Sequence, residues 1–187
     1  MKEMKLDRKT RYTRKVLADS LIELMKDKPF TKITIKELCE KADINRTTFY
    51  AHYHDQYELL KQIEEETFGY IEDMLNKYYN KRSKREVLEM VEEILGFIAN
   101  NSRYLQVLLS ENGDFGFQKR LFSHFMFKKQ VMKYFSEDTI KEETKEYWYI
   151  YALNGTIGLV QHWLKNNMPI PVSELAKIVV KVGSVYK

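Results

Sequence analysis

The sequence predicts an all-α protein of about nine helices, and three observations predict it. Seven Gly and three Pro in 187 residues are too few turn-formers for a multi-stranded sheet or a phosphate-loop α/β fold. Apolar residues recur at helical spacing along almost the whole chain. Helix-cap signatures stand at the starts of several of these stripes. A hydrophobic content of 44% suffices for a sizeable core in one or two closely packed units.

The first helix is expected over roughly residues 8–27, with Val16, Leu17, Leu21, Leu24 and Met25 on one stripe and Pro29 as its stop. Thr34-Ile35-Lys36-Glu37 reads as a capping box, opening a short helix whose apolar face is Ile35, Leu38, Cys39 and Ala42. After a three-residue turn Asn45 caps another short helix. Ile44 before that cap and Phe49 at the fourth helical position have hydrophobic-staple spacing. Asp55 caps a long helix with its stripe at Leu60, Ile63, Thr67, Ile71, Met74 and Tyr78.

Ser83-Lys84-Arg85-Glu86 is a second capping box, leading a helix with Val87, Val91, Ile94 and Ile98 inward. Ser102 is read as the cap of a shorter helix bearing Leu105, Leu108 and Leu109. Glu111-Asn112-Gly113-Asp114 is a break. A Phe- and Met-rich helix follows to about Phe135, then a long one over roughly 140–166, ended by Met168-Pro169-Ile170-Pro171. The last helix starts near Ser173 and carries Leu175, Ile178, Val179 and Val182.

Composition narrows the function. Cys39 is the only cysteine, which rules out an internal disulfide framework and suits a reducing cytosol. No run approaches the roughly 18 apolar residues of a membrane span, and the charged start lacks a signal-peptide core. A cytoplasmic protein is therefore expected. No phosphate-cradling glycine loop, nucleophile elbow or paired-His zinc helix is present, so neither an enzyme nor a cofactor is expected. His52 and His54 point about 200° apart on a helix, which argues against a metal. Net charge is only +4, but residues 1–15 carry a local +5. Such an arm serves as a handle for nucleic acid or an anionic surface, or is a solvated tail.

The two short helices around the turn carry a distinctive surface. Phe49 and Tyr53 are spaced i, i+4 and pack inward together. Thr47 and Ala51 then point away, with Thr48 and Tyr50 beside them and Arg46 in the first turn. Small and hydroxyl residues allow close approach to a DNA groove, and arginine hydrogen-bonds guanine bidentately.

With these residues in place, the chain resembles the tetracycline-repressor (TetR/AcrR) family of bacterial regulators. The matching stretch is I-T-I-K-E-L-C-E-K-A-D-I-N-R-T-T-F-Y-A-H-Y at 33–53, followed by H-D-Q-Y-E-L-L at 54–60. It departs from the family at Asp43, where glycine is usual, and at Thr47, often glycine or another small residue. The resemblance implies an N-terminal arm and helix-turn-helix domain over 1–56 and a helical dimerisation and effector domain over 57–187. It implies a repressor that binds a pseudo-palindromic operator as a homodimer and is switched by a small effector. An activator, or a regulator acting through protein contacts, is the alternative.

By position, the resemblance has Arg46, Thr47 and Thr48 reading bases or adjacent phosphates, and Tyr50 and His52 clamping phosphates. Lys36 and Gln56 match further contact positions. Thr48 could instead serve only the cap, His52 could be packed, and Lys36 could be solvated. In the family the last two helices pair with their symmetry mates. Tyr151, Asn154, Gly158, Gln161, Leu164, Ile178 and Val182 are the interface candidates, unless the glycines at 155 and 158 serve contacts within one subunit or line a pocket. Tyr104, Phe122, Phe125, Trp148 and His162 are candidates for an effector pocket, with a plain aromatic core as the alternative.

Overall fold

The computed structural model describes residues 8–78, 83–114, 116–118, 120–121 and 142–182. All regular structure among them is helical. Helix α1 (Arg8–Met25) turns Leu17, Leu21, Ile22 and Met25 fully inward. It ends two residues earlier than the periodicity predicts. Pro29, at φ −54°, then opens a 3-10 turn over Phe30–Lys32 that buries Phe30. Helices α2 (Ile35–Ala42) and α3 (Arg46–Tyr50) follow, then α4 (Gln56–Lys77).

The predicted caps form. Thr34 Oγ1 accepts from Glu37 N at 3.2 Å while Glu37 Oε2 accepts from Thr34 N at 3.0 Å. Asp55 Oδ1 accepts from Glu58 N at 2.9 Å at the start of α4. Ser83 and Glu86 make the second reciprocal box, opening α5 (Lys84–Asn100). Each cap satisfies N–H groups that the first helical turn leaves without partners.

Helix α6 (Ser102–Leu108) corrects one expectation. Its N-cap is Asn101, which makes no side-chain capping bond; Asn101 Nδ2 donates instead to Phe97 O at 2.9 Å. Ser102 is the first helical residue. The break after α6 is present, and Asp114 accepts from the backbone N–H groups of Gly116 and Phe117. Helices α7 (Glu142–Lys165) and α8 (Val172–Val182) complete the described chain. Asn167 and Met168, at φ 57° and 56°, make the turn between them. Trp163 Nε1 donates to Ile170 O at 2.8 Å and pins it.

One cluster of buried apolar side chains runs from Leu17 of α1 to Val180 of α8. Helix α8 lies along α5, and α6 is sandwiched between α1 and α7. The inward face of α4 is wider than the predicted stripe. Leu59, Glu64 and Leu75 are buried too, while Thr67 is half-buried and its hydroxyl donates to Ile63 O.

Three ties join α1 and its turn to the segment around α6. Tyr104 Oη donates to Asp19 Oδ1 at 2.5 Å, Arg103 lies 3.5 Å from Asp19 and 3.4 Å from Glu23, and Phe30 N donates to Asn112 O at 3.1 Å. Glu64 on α4 is buried, with Arg120 Nη2 at 2.6 Å from Oε2 and no hydrogen-bond partner for Oε1. Burial pushes its carboxyl up to about 7 against the opposing pull of Arg120.

Candidate nucleic-acid interface

Five residues cannot hold a helix by themselves, so α3 depends on its surroundings. Asn45 Oδ1 accepts from Thr48 N at 2.7 Å and caps it. Before the cap, Asp43 adopts the left-handed conformation (φ 52°, ψ 46°), and its N–H bonds back to α2. Glycine is the usual solution there; aspartate is among the few residues that tolerate it. Ile44 packs against the core, and Phe49 has no exposed surface. The Phe49 ring lies 5.9 Å from that of Tyr53 and meets Tyr50 edge-on at 5.6 Å.

With Phe49 and Tyr53 inward, the outward face of α3 follows. Arg46, Thr47 and Tyr50 are exposed, Tyr50 by 56%. Thr48 is half-buried, and its N–H serves the cap. His52 is half-buried with its ring 6.4 Å from Tyr53. Lys36 is exposed on α2, 3.9 Å from Glu40. It lines an open groove of about 470 Å³ with Glu40, Asp43, Asn45 and Arg46. Cys39 also lines this groove but is itself buried, and burial pushes its thiol up. Gln56 sits in the first turn of α4 and donates to Ile33 O at 3.4 Å. The structure thus brings Lys36, Arg46, Thr47 and Tyr50 out as exposed polar groups, Lys36 beside Glu40, while Gln56 already has a protein partner.

The other candidate sites are placed differently. Tyr151 and Asn154 are exposed on α7, as are Gly155 and Gly158, where a Cβ would meet nothing within 4 Å. Ile178 is exposed on α8. Leu164, however, is 2% exposed inside the subunit's own core, because α7 turns that flank toward the body. Gln161 Nε2 is occupied by Leu109 O at 2.7 Å. Tyr104 is a tie to α1 through Asp19 rather than a free pocket wall, and His162 is exposed. Trp148 and Val182 lie on α7 and α8; Phe122 and Phe125 lie outside the described residues. The sequence reading missed Asp19, Glu23 and Arg103. Asp19 and Glu23, an acidic i, i+4 pair on α1, were the available signal.

A capped pair of short helices at a left-handed turn, with its polar face outward and a helical body behind, defines a helix-turn-helix regulator. A family model described as transcriptional regulator C-terminal region, of TetR type, matches residues 85–183. The chain belongs to the TetR family of transcriptional regulators. It is 26% identical over 179 residues to YxbF of Bacillus subtilis (strain 168), an uncharacterized HTH-type transcriptional regulator. It is 31% identical over 72 residues to DhaS of Lactococcus lactis subsp. lactis (strain IL1403), the dhaKLM operon transcriptional activator. These alignments span 94% and 38% of this chain but 46% and 38% of those relatives, so the chain spans about half the length of YxbF. A TetR transcriptional regulator from Streptococcus agalactiae 2603V superposes with a TM-score of 0.69 at 22% identity, over 95% of this chain and 96% of that one. No helix among the described residues is long and apolar enough to cross a membrane.

Proposed function

We propose that the chain binds duplex DNA as a homodimer, laying the exposed face of α3 in the major groove of each half of a pseudo-palindromic operator in the cytoplasm. The observation that carries this reading is the outward set Arg46, Thr47 and Tyr50 on a helix fixed by the Asn45 cap and the buried Phe49. Arg46 and Thr47 approach base edges, Tyr50 and His52 engage phosphates, and Lys36 supports them from α2. Thr48 and Gln56 come near the groove, and Gln56 exchanges its bond to Ile33 for a phosphate.

Residues 1–56 form the DNA-binding part and 57–187 the dimerisation and sensing part. Tyr147, Ile150 and Tyr151 leave large hydrophobic side chains exposed on α7, by 75%, 46% and 69%. Beside them the open glycines 155 and 158 permit close approach of a second helix, which supports pairing there. A small effector held in the body favours a geometry whose α3 helices miss the half-site spacing. Release from DNA follows only if the effector binds the two geometries unequally. The chain then acts as a repressor. The similarity to DhaS, named as an activator, favours a second reading, in which the bound dimer promotes transcription.

The test compares Arg46→Ala and Tyr50→Ala with the parent chain on a selected operator. Arg46→Ala is expected to weaken binding by about 1–3 kcal/mol and relax specificity at one position. Unchanged affinity in both variants overturns the assignment of α3.

A further inference from the structure

Helix α1 carries a strongly basic face that α3 does not account for. Positions 8, 11, 12 and 15 fall at i, i+3, i+4 and i+7, so Arg8, Arg11, Tyr12 and Lys15 share one side. All four are exposed, Tyr12 by 70%. Among the described residues none of the three cations is in an ion pair. By contrast Lys61, Lys77, Arg85 and Arg103, on α4 to α6, each stand within 4 Å of a carboxylate.

Among the described residues, folding gives these cations no role. The first turn of α1 holds no acid, and positive charge there opposes the helix dipole. Arg11 and Lys15 form a like-charge i, i+4 pair, which also weakens a helix. One and two turns on, the same side becomes acidic at Asp19 and Glu23, where Arg103 and Tyr104 of α6 cover it. The face is acidic where it meets protein and basic where it meets solvent.

Helix α1 packs against α2, the first helix of the helix-turn-helix. The Arg14 guanidinium lies 5.8 Å over the ring of Tyr53, which packs on Phe49. The second turn of α1 therefore adjoins Tyr53, three residues beyond the end of α3, and Arg11 stands one turn before Arg14. At about 1.5 Å per residue, Arg8 to Lys15 spans about 10 Å. One DNA strand presents a phosphate about every 3.4 Å of helix axis, so about three lie within that span.

We propose that Arg8, Arg11, Tyr12 and Lys15 form a second, sequence-independent contact surface for the phosphate backbone of duplex DNA. The three cations neutralise phosphates, and the Tyr12 hydroxyl donates to a phosphate oxygen. The proposal rests on the reading of α3 as a DNA-contacting helix. An anionic membrane suits the face poorly, because Tyr12 is its only large apolar group.

The test uses the full chain carrying Arg8→Gln, Arg11→Gln and Lys15→Gln together. A control carries Lys61→Gln and Arg85→Gln. Binding to a selected operator and to an unrelated duplex of equal length is measured across salt concentrations, beside Arg46→Ala. The triple variant is expected to keep or raise its melting temperature, since repulsion is removed. Its log K against log salt should flatten by about 0.9 per lost contact, so by two to three per subunit. Both duplexes should weaken by similar factors, whereas Arg46→Ala weakens mainly the operator and the control changes neither. A parent chain that binds its operator while the triple variant keeps the same slope and affinity overturns the proposal. So does binding to phosphatidylserine vesicles that needs these residues while duplex binding does not. A parent chain that binds no duplex at low salt removes the α3 reading as well.

Discussion

Replacing Phe49 by alanine isolates what holds α3 in place. The side chain has no exposed surface, and its ring contacts those of Tyr50 and Tyr53 at 5.6 and 5.9 Å. Removing a fully buried phenylalanine costs about 3–5 kcal/mol, combining lost transfer energy with the cavity left behind. Set against a typical total of about 5–15 kcal/mol, the loss is large enough to open the helix-turn-helix in a measurable fraction of molecules. Operator affinity should fall by that same fraction, because only the closed form binds. Urea unfolding reads the stability loss, amide exchange on α3 reads the opening, and operator titration reads the consequence. Tyr50→Ala is the internal comparison. Its side chain is largely exposed, so it should change stability by no more than about 0.5 kcal/mol. A cost below about 1 kcal/mol for Phe49→Ala, or an equal cost for the two variants, would refute the packing argument.

Three further outcomes are expected. Asp43 holds a positive φ of 52°, so Asp43→Val should lower stability by about 1–2 kcal/mol while Asp43→Gly holds or raises it. Equal melting curves would contradict the left-handed turn. The Glu64 carboxyl is raised from 4.5 to about 7 by burial, so the folded state holds a proton that the unfolded chain has lost between those values. Its contribution is therefore fully present below about 4.5 and lost as pH rises through about 7. Between pH 5 and 8 the parent chain should lose about 2–3 kcal/mol relative to Glu64→Gln; parallel pH profiles in urea unfolding would count against it. A Cβ at Gly158 meets nothing within 4 Å in one subunit. Gly158→Trp should therefore leave the subunit folded and shift it toward monomer in sedimentation, and an unchanged dimer would remove this face from the interface.

What the sequence revealed divides by range along the chain. The boxes at Thr34–Glu37 and Ser83–Glu86 and the Asn45 cap all lie within a few residues, where spacing alone sets the geometry. The inward pair Phe49–Tyr53 was legible for the same reason. Contacts between distant segments left little trace. Tyr104 reads as an aromatic on a helical stripe, and nothing local says that its hydroxyl meets Asp19, 85 positions away. Leu164 and Gln161 stand among the interface candidates that the resemblance implies. Yet Leu164 is buried and Gln161 bonds Leu109 O, because a helix rich in apolar residues on several sides has no single obvious inner face. Gln56 matched a contact position, yet its amide reaches Ile33 O across 23 residues. Helical periodicity names the faces of a helix; packing decides what covers each one.

The most direct test of the central claim is selection of duplexes from fragmented genomic DNA by the purified full chain at low salt, followed by a salt titration of the enriched sequence. The account predicts enrichment of inverted half-sites spaced by about one helical turn or a multiple, roughly 34 Å, with affinity falling steeply as salt rises. Recovery of no enriched duplex, or of one bound equally well by Arg46→Ala and Tyr50→Ala, would contradict it.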